Sequence, residues 1–215
     1  MEQSSEHAKL PLKEMIKSIP GVVGIRLEEK PKFDKLGKEG DVQLRRYHPM
    51  LVAEVTIRGD HATAVDKGFD ILAKYIFGEN SAKAEMSMTN PVLQEQESAE
   101  DTTLEMTAPV FQEREESGQS WRIAFVIPAK FTLETVPKPL DKDIQLVEIP
   151  AATVAVVEYS GNNTEEHMEE AATTLKTWLL SSGRLALSPI RFAQYDAPFT
   201  IPFLKRNEAQ MDVRE

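Results

Sequence analysis

The stretch VQLRRYHPMLVAEVTIRG (residues 42–59) decides the fold, because the chain writes it twice. IQLVEIPAATVAVVEYSG (144–161) aligns with it without a gap at an offset of 102. Val42 falls on Ile144, Gln43 on Gln145, Leu44 on Leu146, Val52 on Val154, Ala53 on Ala155, Val55 on Val157 and Gly59 on Gly161. Each copy holds two short strand patterns. In the second pattern of the first copy, Leu51, Ala53, Val55 and Ile57 alternate against Glu54, Thr56 and Arg58. That period of two marks a strand buried on one face.

A helical pattern follows the glycine in each copy. Val65, Phe69, Leu72 and Ile76 form an apolar stripe with a period near 3.6, and Met168, Ala172, Leu175 and Leu179 repeat it at an offset of 103. Asp60 and Asn163 are suited to cap the two starts, and Gly78 and Gly183 sit at the two ends. Strand patterns return in WRIAFVIP (121–128), SPIRFAQY (188–195) and FLKRNEAQMDV (203–213). A shorter echo, MTNPVLQEQ (88–96) and MTAPVFQER (106–114), flanks a polar SAED linker and predicts a hairpin.

The pattern is a duplicated ββαββ unit. Neither unit buries both its sheet face and its helix stripe alone, so the two must share a core. The expected fold is α+β: a mixed or antiparallel sheet of about eight strands, distorted into a barrel-like form, with two helices packed outside. Residues 1–39 read as a lead-in, partly disordered or with a short helix around Leu12 to Ile19, which Pro20-Gly21 stops. Residues 40–215 form the domain.

Composition narrows the function. The 215 residues suit one good-sized domain. Cysteine is absent, which removes disulfides, thiolate zinc sites, iron–sulfur clusters, cysteine nucleophiles and covalent haem attachment. The formal net charge is −10, and no basic run exceeds Arg45-Arg46 or Lys205-Arg206, which argues against nucleic acid as a partner. Apolar runs such as Ile123 to Ile127 are far below the ~18 residues of a membrane span. The N-terminus shows no apolar signal core, so the expected location is cytoplasmic.

Leu44-Arg45-Arg46-Tyr47, the Met-Thr-x-Pro-Val strands and AQYDAPFTIPFLKRNEA (193–209) resemble the SOUL/haem-binding protein family in its bacterial form. The resemblance runs from about Gly40 to Val213. It implies a distorted eight-stranded barrel with two helices, similar to bacterial effector-binding domains. It also implies non-covalent binding of haem b or another porphyrin in an apolar groove beside the first helix. On that resemblance the cofactor-binding set is Arg46, Phe69, Leu72, Ala73, Lys74, Ile76, Lys205 and Arg206, with Lys74 and the Lys205-Arg206 pair facing the propionates. Arg46 stands where some animal relatives carry a His proposed as axial iron ligand; other relatives also lack that His.

Four histidines offer nitrogen ligands: His7, His48, His61 and His167. His7 lies in a polar tail, and His61 and His167 begin helices, where solvation is expected. His48, two residues after Arg46, is the candidate metal ligand, although Pro49 ends its strand. Met86, Met88 and Met106 carry thioethers better suited to packing than to iron. No Walker loop, Gly-x-Gly-x-x-Gly, Gly-x-Ser-x-Gly or His-Glu-x-x-His occurs, so catalysis is not expected beyond what a bound tetrapyrrole lends. The expected role is carrying, buffering or sensing a tetrapyrrole. The alternatives are a module for other small amphipathic or cationic effectors and a protein-interaction scaffold without ligand.

Overall fold

In the computed structural model the structure describes residues 29–87, 89–97, 120–196 and 200–214. Along them run β1 (Phe33–Glu39), β2 (Val42–Tyr47), β3 (Met50–Arg58), α1 (His61–Ile76), β4 (Val92–Glu97), β5 (Ser120–Val126), β6 (Gln145–Ile149), β7 (Ala152–Ser160), α2 (Glu165–Ser182), β8 (Arg191–Gln194) and β9 (Arg206–Asp212). One 3-10 turn, Pro202–Leu204, precedes β9. The expected helix at residues 12–19 and the strand MTAPVFQER (106–114) lie outside the described residues.

The strands form a single antiparallel sheet in the order β1-β2-β7-β9-β8-β4-β5-β3-β6, curled into a half-barrel. The fold is α+β, with nine strands among the described residues where about eight were expected. The additional strand is β1, inside the stretch read as lead-in. It pairs with β2 from Phe33↔Tyr47 to Glu39↔Val42, through a two-residue turn in which Gly40 takes φ +59°. A left-handed conformation there suits glycine and closes a tight hairpin.

Within the repeated stretch, β2 and β3 do not pair with each other. β2 pairs with β7 and β3 pairs with β6, so each short strand lies beside the longer strand of the other stretch. His48-Pro49 separates β2 from β3, and Pro150-Ala151 separates β6 from β7. Proline is locked at negative φ and cannot supply the positive φ of a two-residue hairpin. The chain therefore runs on into the far half of the sheet.

Asp60 caps α1, its Oδ1 accepting from Thr63 N at 3.0 Å. Thr164, one residue past the expected Asn163, caps α2, and Gly183 closes it in the left-handed region. Glu165 and Glu166 occupy the first turn of α2, where the helix dipole favours anions. α1 packs on β3 and β5, and α2 packs on β7 and β9. Leu72, Tyr75 and Ile76 of α1 and Met168, Leu175 and Trp178 of α2 share one core with Val42, Leu44, Ala53, Val55, Ile123, Phe125, Ala155 and Met211 of the sheet. Each such side chain fully buried contributes roughly 1.5–3 kcal/mol. Gly68 of α1 lies close against the sheet: an added Cβ would fall 2.7 Å from Ile123 Cγ1.

Candidate functional site

The sheet face turned away from the helices carries a charged cluster. Arg45 (β2) and Glu208 (β9) sit at its centre, 1% and 0% exposed. Arg45 Nη1 donates to Glu208 Oε1 at 2.9 Å, and Arg45 Nη2 donates to Glu158 Oε1 at 2.5 Å. Arg206 Nη2 donates to Glu158 Oε1 and to Glu208 Oε1, both at 2.6 Å. Tyr195 Oη donates to the other carboxylate oxygen of Glu208 at 2.8 Å, and Gln210 Nε2 donates to the same oxygen at 2.7 Å. Burial pushes the Glu208 carboxyl upward, but Arg45 and then Arg206 outweigh it and hold the group below its usual range. Burial, followed by the Glu208 charge, pushes the Tyr195 hydroxyl well up, so it stays protonated and donates. Phe33 lies under the Arg45 guanidinium, 4.6 Å from ring centroid to carbon, and Tyr195 lies under Arg206 at 4.9 Å. This cluster is internally satisfied and pins β2, β7, β8 and β9 together.

The structure divides the expected cofactor-binding set. Leu72 and Ile76, 0% and 2% exposed, spend their surface on the sheet. Phe69 is half-buried with its ring edge on Phe125, centroids 5.2 Å apart. Ala73 is half-buried and Lys74 is exposed. Arg46 is exposed on β2, in register with Asp34 and Thr153, whereas α1 packs on β3 and β5. Lys205 is buried and its Nζ donates to Asn162 Oδ1 at 3.0 Å. Arg206 belongs to the charged cluster on the opposite face from α1.

Two of the histidines differ from expectation. His61 is not freely solvated: its Nε2 lies 2.8 Å from Gln94 Oε1, and its ring meets the edge of Trp121 at 4.6 Å. His167 Nδ1 lies 2.8 Å from the carbonyl of Asn162. Met86 packs in the core, as expected of a thioether better suited to packing than to iron, while His7, Met88 and Met106 lie outside the described residues.

His48 occupies a more open place. It borders a cavity of about 590 Å³ beside the β2–β3 and β6–β7 connections. Met50, Leu51, Val126, Ile127, Phe131 and Ile149 supply its apolar wall. Prolines 31, 49 and 150 also line it, together with Glu29, Lys30 and Lys32. Glu148 borders the same space from β6. Ligand cavities commonly fall between about 300 and 1,000 Å³, mostly apolar with a few polar groups. Two lining groups are able to meet a metal, the His48 imidazole and the Met50 thioether. His48 Nε2 is engaged, 3.0 Å from Asp34 Oδ2. Neither the cavity nor β1 was signalled by the repeat. The signal available was the Lys-Pro-Lys run at 30–32, basic residues in an acidic chain.

The model of the SOUL heme-binding protein family matches residues 28–212. The chain belongs to that family. Its matched region begins before β1, so the edge strand and part of the segment read as lead-in fall within it. SOUL is a family of binding proteins. Among curated proteins the chain is similar to human heme-binding protein 2, 25% identical over 170 residues, covering 78% of this chain and 75% of that protein. Among solved structures it is similar to the EcmrR C-terminal domain, with a TM-score of 0.58 at 15% identity, over 81% of this chain and 97% of that one. An uncharacterized conserved protein from Listeria innocua gives a TM-score of 0.54 at 13% identity, over 83% of this chain and 94% of that one. These two likenesses are of fold. Among the described residues, no helix is long and apolar enough to cross a membrane.

Proposed function

We propose that this protein binds haem b or a related porphyrin non-covalently, to carry, buffer or sense it, in the cavity beside His48 and Met50. The observation that carries this reading is the cavity itself: about 590 Å³ walled by apolar side chains, in a chain of the SOUL family. A seat along α1, the groove that the family resemblance implies, is the competing placement. Leu72 and Ile76 leave it little apolar surface, since both are buried against the sheet.

Haem, when bound, supplies an iron centre and a flat apolar face. The chain's own residues do the rest. Met50, Phe131 and Ile149, the half-buried members of the wall, remove apolar area from water at roughly 25 cal/mol per Å². The Asp34 contact takes His48 Nε2 and leaves Nδ1 as the ring nitrogen that would meet iron, while the apolar wall supplies the main part of the affinity.

Titration of the purified protein with hemin tests the reading. A Soret band that saturates with one hemin per chain is the expected outcome. Absence of any saturable band, with metal-free porphyrin also unbound, would overturn it in favour of a scaffold or a module for other effectors.

A further inference from the structure

The segment between Glu29 and Phe33 borders this cavity through Glu29, Lys30, Pro31 and Lys32 and is tied at both ends. At one end the Glu29 carbonyl accepts from Asn90 N at 3.0 Å, and its Oε1 accepts from Ala129 N at 3.0 Å. At the other, the Lys32 carbonyl accepts from His48 N at 3.0 Å, directly ahead of β1. Between these ties, Lys30, Pro31 and Lys32 all line the cavity. Both lysines are exposed, and neither ammonium group has an ion pair or side-chain hydrogen bond among the described residues.

Lys30 and Lys32 are two cations in a lining that is otherwise largely apolar. The chain carries 35 acidic against 25 basic residues, and arginines 45, 122, 184, 191 and 206 all have carboxylate partners. A strap pinned at both ends holds its side chains beside the cavity at little further entropic cost on binding. Its fixed carboxylate, Glu29, is turned to the Ala129 amide, which leaves the two ammonium groups as the strap's uncommitted charges. Glu148 on β6 also lines the cavity and adds a charge of the opposite sign.

We propose that Lys30 and Lys32 form a carboxylate clamp. The ligand enters with its acid-bearing edge toward the strap and its apolar edge toward Phe131 and Ile149. This rests on the tetrapyrrole reading and adds to it the group that is recognised and the residues that read it. A paired carboxylate–lysine contact at these exposed side chains is screened by salt, unlike the apolar contacts within.

Four proteins decide it: wild type, Lys30→Ala/Lys32→Ala, Lys30→Arg/Lys32→Arg and Lys30→Glu/Lys32→Glu. Each is titrated with hemin and with hemin dimethyl ester, whose carboxylates are blocked, at low and at high salt. The expected result is that the alanine pair loses about tenfold in hemin affinity and the glutamate pair loses more, while the arginine pair stays within about threefold. The dimethyl ester should bind all four alike, and the salt dependence of hemin binding should shrink in the alanine pair. Far-ultraviolet circular dichroism and thermal midpoints confirm that exposed lysines were removed without unfolding. If wild type binds hemin and its ester equally, or the alanine pair keeps full hemin affinity, the clamp is wrong while tetrapyrrole binding stands. If wild type binds neither ligand, the tetrapyrrole reading fails and the clamp falls with it.

Discussion

Arg45 Nη1 meets Glu208 Oε1 at 2.9 Å where both side chains are cut off from solvent, one at 1% and the other at 0% exposure. They lie 163 positions apart in sequence and join β2 to β9, two strands separated in the sheet by β7. Desolvating two charges is costly, and their attraction offsets it here because every Glu208 oxygen is hydrogen-bonded. Removing one partner leaves the other buried and unpaired. Arg45→Ala should therefore cost about 3–5 kcal/mol in denaturant unfolding. Replacing both, as in Arg45→Met with Glu208→Leu, should cost less than the sum of the single changes, because no orphan charge remains. Equal, additive losses would mean that the two residues do not act as a pair.

The same carboxylate fixes the direction of acid sensitivity. Burial raises the Glu208 pKa, but Arg45 and Arg206 bring it below the ordinary carboxylate value in the folded state. A depressed folded pKa means that the unfolded chain binds the proton more readily. The contribution is complete above the unfolded carboxylate pKa of about 4.3 and is lost as pH falls through the lower folded value. Unfolding midpoints in urea should hold between pH 7 and pH 5 and then decline. The decline should be shallower in Glu208→Gln, and a parallel decline in both proteins would assign it to other groups.

Gly68 on α1 is a close contact between helix and sheet. An alanine there would bring its Cβ to 2.7 and 2.8 Å from Ile123 Cγ1 and Cβ, and Ile123 is fully buried. Helix propensity alone would favour alanine by about 1 kcal/mol. The branched Ile123 has no room to withdraw, and overpacking of this kind costs roughly 1–3 kcal/mol. Gly68→Ala is expected to be net destabilising by thermal unfolding, and Gly68→Ala with Ile123→Val should recover part of the loss. A stabilised single variant would show that α1 lifts off the sheet at no cost.

Much of this fold was legible from the repeated stretch. Alternation at Leu51, Ala53, Val55 and Ile57 marked β3, and the stripe at Val65, Phe69, Leu72 and Ile76 marked α1, since one-sided burial writes itself into sequence as a period. β1 was not legible, because an edge strand with all but one residue exposed has no apolar period to read. The exchange of partners between β2–β7 and β3–β6 follows from Pro49 and Pro150, but a proline near a strand end also suits an ordinary loop. The candidate site was less legible still. An apolar stripe looks the same whether it faces a sheet or a ligand, so Leu72 and Ile76 read equally well as core or groove. His48 was singled out from the sequence, yet its neighbours Ile149, Phe131 and Lys30 come from segments scattered along the chain. Periodicity within one element cannot report such a convergence.

Those two placements of the ligand make opposite demands on two exposed or half-exposed positions. Ile149 lines the cavity and is half-buried on the edge strand β6, while Ala73 is half-buried on the flank of α1. A carboxylate placed against the ligand's apolar face would be desolvated without a partner, a penalty of roughly 1–3 kcal/mol by protein mutational data. Since each 1.4 kcal/mol is tenfold in affinity, Ile149→Glu should weaken hemin binding by about tenfold or more. Ala73→Glu and Lys74→Ala should each change it by less than about threefold, because a partly exposed helix charge is worth 0–1 kcal/mol. Hemin titrations of the three variants, each checked for an unchanged thermal midpoint, measure this directly. Should Ala73→Glu abolish binding while Ile149→Glu leaves it intact, the tetrapyrrole lies along α1 after all, packed on Phe69 and Ala73 instead of against Phe131.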